Sequence, residues 1–215
     1  MEYALPSGEI QKAEWSFGHY PPLARECSGG LADITSDIVY VDRPISSLTS
    51  LDYGSYWVSP SDVGREIRIY APPGAYDSIF VHWPQSDLKN KARVPSPGWG
   101  LAVGPGYIAG GATYCTIANA PDNSWDVPLA GEVWLHEWLH GVCDFYESKG
   151  FPMPERNADG GGLHGYVQSP VIGWGAYYKD LMTGQVKEKG RLTGITPRAW
   201  LSGTIRSALK EKCSL

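Results

Sequence analysis

The hydrophobic and polar positions of this chain fall into short blocks separated by Pro and Gly, and they predict a mixed α+β fold. Glu9 to Phe17 mixes apolar and polar positions and is assigned to a first strand. Asp37-Ile38-Val39-Tyr40-Val41 is a β-branched run ending near Pro44, which predicts a second strand. Ser59-Pro60-Ser61-Asp62 has the form of an N-cap, a Pro at the first helical position and an acidic first turn, so a short helix through about Arg65 follows. Arg68-Ile69-Tyr70 begins another strand, stopped by Pro72-Pro73-Gly74, and Ser78 to Trp83 is a further one, stopped by Pro84. Lys89 to Pro97 is basic and Pro-containing, as an exposed loop would be. Gly98 to Val103 and then Gly110 to Ala118 come next, the latter as a strand or one half of a hairpin, and Pro121 to Pro128 is a turn-rich connector.

Beyond that connector the period changes. Leu135, Leu139, Val142 and Tyr146 recur at i, i+4, i+7 and i+11, which predicts a helix from near Leu129 or Gly131 to about Tyr146. Phe151 to Gly162 is a loop rich in Pro, Gly, Asn and Asp, and Gly173 to Met182 is a short aromatic helix or turn. Thr196 as cap and Pro197 at the first position open a last helix, in which Leu201, Ile205 and Leu209 repeat every four residues. The expected architecture is a single α+β domain over residues 1–215. A sheet-rich part (about 1–128) precedes the helix that starts near Leu129, a long loop and the C-terminal helix (about 129–215).

Composition narrows the class. The 215 residues are 42% apolar but only 19% charged, with nine Trp and thirteen Tyr, a mix that suits a compact, loop-rich extracellular protein. A net charge of -5 gives no footprint for nucleic acid, and no run of about 18 apolar residues predicts a membrane span. The first residues carry no signal core, so the chain is either cytosolic or a secreted protein whose signal has been removed; the composition favours the second, acting as a monomer. Cys27, Cys115, Cys143 and Cys213 are widely spaced, and either two disulfides or four buried thiols fit them.

The chemistry lies within the helix. His136-Glu137-Trp138-Leu139-His140 places two imidazoles four residues apart, about 40° from each other around the axis, so both can grip one cation. Glu137, one position on, is placed to act as general base on a metal-held water. A catalytic zinc needs a third protein ligand. His164, flanked by glycines that let the backbone approach a metal, is the first choice; Asp144, Glu147, Glu155 and Asp159 are the carboxylate alternatives. Cys143, three residues after His140, is a further thiolate candidate, though it would make the site structural rather than catalytic. Glu155, Asn157 and Asp159 alternate oxygen side chains before three glycines, a weak calcium-loop pattern.

Through His136 to His140 the chain resembles the zincin metallopeptidases, and more loosely so over residues 98–210. The resemblance implies a sheet whose edge strand holds extended peptide above the cleft, a place that Gly111 to Ala118 takes by order along the chain. Within that superfamily the metzincin branch is the nearest, with Asp180 to Gly184 resembling its methionine turn around Met182. Cys143 and Tyr146 stand where that branch has Gly and its third His, so the metzincin pattern is not met at the third ligand.

These features together predict a zinc-dependent endopeptidase acting on protein or peptide substrates. Glu137 would be the base, and Tyr166, or else Tyr178, would stabilise charge in the transition state. A zinc hydrolase of a cell-wall or glycan amide is one alternative; a non-catalytic, zinc-stapled carbohydrate-binding module is the other. Trp134 and Trp138 are assigned to packing, and Trp83, Trp99 and Trp174 to exposed platforms.

Overall fold

The structure is a computed structural model that describes residues 7–87, 92–108, 111–119, 125 and 127–205. It is a mixed α+β fold. The chain opens with a helix, α1 (Ser7–Cys27). Two short antiparallel strands, β1 (Thr49–Ser50) and β2 (Tyr56–Trp57), and a helix, α2 (Gly64–Tyr70), follow. Next come β3 (Ser78–Pro84), a minor pair β4 (Ser86–Asp87) and β5 (Ala92–Arg93), then β6 (Gly100–Val103) and β7 (Thr113–Asn119). The C-terminal part holds α3 (Glu132–Ser148), α4 (Gly175–Thr183), the hairpin β8 (Val186–Glu188) and β9 (Arg191–Thr193), and α5 (Pro197–Leu201).

The main sheet has the order β3-β7-β6, with β7 parallel to β3 and antiparallel to β6. The strand assigned to the cleft edge from its order along the chain is therefore central; among the described residues β3 and β6 are the edges. Alternate β7 residues face opposite ways, as the two-residue period of a strand requires. Ile117 joins the core around α3, while Tyr114 and Ala118 join a second cluster with Trp57, Val58 and Val63. Both faces of the sheet are thus covered. Gly141 lets α3 seat closely, since a Cβ there would stand 2.7 Å from the Thr113 side chain.

On its other side α3 meets α1, which also packs on α4. Phe17 and Tyr20 of α1 meet Trp134 and Trp138 of α3 edge-on, with Phe80 of β3 between them. Each such aromatic side chain stabilises the fold by about 1.5–3 kcal/mol through area burial alone. As a result α3 is buried nearly all round, with His136 and His140 half-buried and only Asp144, Glu147 and Ser148 exposed. It ends where Gly150 turns to φ 88° ahead of Pro152. Among the described residues no helix is long and apolar enough to cross a membrane.

Several local expectations are corrected. Glu9 to Phe17 lies within α1, because its buried residues Ala13, Ser16, Tyr20, Leu23, Ala24 and Cys27 follow a helical spacing. Asp37 to Val41 has no regular structure; Ile38 to Val41 are exposed and no strand pairs with them. Ser59 to Asp62 is a turn in which the Asp62 carboxylate accepts from the Ser59 N–H, and the helix starts only at Gly64 and takes in Arg68 to Tyr70. Lys89 to Lys91 and most of 121–126 lie outside the described residues. The last helix has its foreseen cap, Thr196 Oγ1 accepting from the Ala199 N–H, but ends at Leu201, which is exposed; Leu209 lies outside the described residues.

Candidate metal centre

The spacing of His136 and His140 on α3 puts both rings on one side of the helix, with their Nε2 atoms 3.3 Å apart. A third group arrives from a single 3₁₀ turn, Asn157–Gly160. Asp159 Oδ1 lies 3.4 Å from His136 Nε2, and Oδ2 lies 3.8 Å from His140 Nε2. A tetrahedral ion with bonds of about 2.0–2.1 Å separates its ligands by about 3.3 Å, close to the His136–His140 and His136–Asp159 spacings. His136, His140 and Asp159 are placed to hold a metal ion. Arg156 and Asn157 both take positive φ, 63° and 33°, and the Tyr177 hydroxyl donates to the Asn157 carbonyl, which fixes the turn against α4.

Glu137, next to His136 on α3, is buried. Burial pushes its carboxyl up to about 7; His136 works against that rise and Asp159 adds to it. Asp159 is held below the usual carboxylate range, first by its hydrogen bond to His136, whereas burial lowers His140. The first residue of β6 must be Gly100: a Cβ there would stand 2.0 Å from the Thr116 carbonyl and 3.1 Å from Glu137 Cδ. Beside it, the half-buried Trp99 meets the His136 ring edge-on, with centroids 5.3 Å apart, and forms one wall of the site.

The other foreseen residues fall elsewhere. His164 is not part of the metal-binding group; its Nε2 lies 3.1 Å from the Glu155 carbonyl and its ring is stacked with Tyr177. Tyr166 donates to Asp180 at 2.6 Å, so its hydroxyl is committed away from the histidines. Tyr178, the alternative, lies buried with its hydroxyl 3.0 Å from His136 Nδ1. Asp144 reaches the site only through Asn157, and Glu147 is exposed at the end of α3. The calcium arrangement is not assembled, because Asn157 and Asp159 turn toward the two histidines while the exposed Glu155 contributes its main-chain groups to Glu188 and His164.

Cys27, Cys115 and Cys143 are free, buried thiols rather than disulfide partners, and Cys213 lies outside the described residues. Cys143 is packed in the core of α3, not in the metal group. Met182 belongs to the last turn of α4 rather than to a free turn, and Tyr146 packs against Trp200 and Phe151. Trp134 and Trp138 are core residues as expected; Trp83 is fully buried, and Trp99 and Trp174 are half-buried.

Two residues have roles that the sequence did not reveal. Asn157 accepts from His140 Nδ1, a role that depends on a turn geometry no local pattern reveals. Glu132, in the first turn of α3, is fully buried and accepts from the Trp174 N–H at 2.6 Å, which ties the start of α4 to α3. Burial raises its carboxyl, with the Trp174 N–H opposing that rise. A shallow hollow lined by Lys149, Phe151, Arg198, Leu201 and Ser202 lies at the C-terminal end of α3 and shares no residue with the metal group. No family model matches the chain, and no curated protein or solved structure matches it.

Proposed function

We propose that the protein is a zinc-dependent peptidase in which His136, His140 and Asp159 hold the ion and Glu137 moves the proton. The convergence of three ligand atoms beside a buried glutamate carries this reading. Two imidazoles and one carboxylate suit zinc. The same donor set suits iron(II), but a glutamate next to the first ligand is what metal-assisted hydrolysis uses. When bound, zinc supplies a Lewis acid that lowers the pKa of water and polarises a carbonyl.

The chain's own groups do the rest. Glu137 takes a proton from the attacking water and passes it to the leaving amine. The Asp159 side chain is 62% exposed, so the metal face opens to solvent rather than being sealed as in a structural staple. Among the described residues β6 pairs on one side only, leaving an edge beside Trp99 to which an extended peptide can add main-chain hydrogen bonds.

Metal analysis of the purified protein should return one zinc per chain. Glu137→Gln should keep that zinc and lose turnover of a peptide library; full hydrolysis by this variant would eliminate the base. Hydrolysis of cell-wall or glycan amides with no cleavage of peptides would keep the metal chemistry and reassign the substrate.

A further inference from the structure

Each histidine of the metal group has a second ring nitrogen, and the partner given to His140 fixes its chemistry. Asn157 Oδ1 lies 2.5 Å from His140 Nδ1. The same oxygen accepts from the Ala158 N–H at 2.6 Å, while Asn157 Nδ2 faces Asp144 Oδ1 at 3.4 Å. These two neighbours settle which way the amide points. Its oxygen faces an N–H and its NH2 faces a carboxylate; the flipped amide would set donor against donor and acceptor against acceptor. An amide oxygen only accepts, so His140 Nδ1 must carry the proton. Its Nε2 then presents a lone pair toward His136 and Asp159, the form a metal needs.

We propose that Asn157 is the positioning residue of the metal centre: held by Asp144, it locks His140 in the Nδ1–H tautomer before any metal arrives. The inference rests on the metal-binding reading of the site. The turn that delivers Asp159 as a ligand also delivers Asn157 as the partner of another ligand, so the two act as one unit. The backbone of that unit is fixed independently, by the Tyr177 hydroxyl on the Asn157 carbonyl and by the positive φ of Arg156 and Asn157. Asp144 is exposed on the last turns of α3 and serves to orient the amide, at the far end from the ligand nitrogen.

The direct test needs no substitution. Long-range 1H–15N spectra of the histidines in the metal-free wild type should show His140 protonated at Nδ1, and a predominantly Nε2–H ring would overturn the proposal. Zinc affinity is then measured by competition with a chromophoric chelator. Asn157→Leu should weaken zinc about 10–100-fold, the range expected when a ligand's outer partner is removed. The swap Asn157→Asp with Asp144→Asn restores both an acceptor for His140 and a donor to hold it, and should return affinity to within a few-fold of wild type. Unchanged affinity in Asn157→Leu, or no recovery in the swap, counts against Asn157 alone. A wild type that binds no zinc at all removes the metal reading itself, which separates the two failures.

Discussion

Glu137 makes the metal-free protein sensitive to pH in a direction opposite to that of most acids. Its carboxyl rises from 4.5 to about 7 on folding, with burial the main cause. Below 4.5 it is protonated in both folded and unfolded chains and costs nothing. Between 4.5 and 7 the folded chain binds more protons than the unfolded one, so stability falls as pH rises. Above 7 the full penalty is present. At about 1.4 kcal/mol per tenfold change in proton affinity, this penalty comes to about 3 kcal/mol. Glu137→Gln keeps the shape and removes the charge. In chelator, the variant should be the more stable protein at pH 8 by an amount of that order, and the advantage should shrink toward zero near pH 4.5. Urea denaturation of both proteins across pH 4.5–8 measures it. Other raised acids such as Glu132 are common to the two proteins and cancel in the difference. Stability curves that run parallel over this range would refute the buried-carboxyl argument.

Other expectations follow from the packing and the site. Trp134→Ala removes a ring that meets Phe17, Phe80 and Trp125 and an indole N–H donated to Ser16, and should cost about 3–5 kcal/mol in urea denaturation. Thr196→Ala removes the cap on the Ala199 N–H and should cost about 1 kcal/mol, restored largely by Ser. With zinc at about 100 times its Kd, the wild type should gain about 2.7 kcal/mol over the chelated protein; a thermal shift of equal size in His136→Ala would show that the ion acts elsewhere.

The parts of the fold that were legible in the sequence are those where one local signal decides. The i, i+4, i+7, i+11 spacing from Leu135 to Tyr146 gave α3, and every residue of that stripe is buried. Thr196-Pro197 gave the start of α5, and Ser78 to Trp83 lies within β3. Where tertiary partners decide, the local reading did not hold. The helical spacing of α1 is masked by small or polar buried residues such as Ala13 and Ser16 and by Pro21-Pro22 within it. Asp37 to Val41 has strand composition, but a strand forms only where another offers its edge. At the candidate site, the meeting of His136 and His140 was readable because a helix fixes their spacing. The choice of Asp159 over His164 was not, since both follow α3 in one loop and only the positive-φ turn at Arg156 and Asn157 determines which side chain meets the histidines.

The burial of α3 on nearly every side sets apart in time the three groups that are placed to hold a metal ion. Two of them stand on the segment whose amides should exchange with solvent only when the whole molecule opens. The third stands on a surface turn with an exposed carboxylate. Loss and capture of an ion should therefore proceed by the swinging of Asp159, with the paired imidazoles as a permanent anvil beneath it, and the off-rate should follow the local opening of that turn rather than global unfolding.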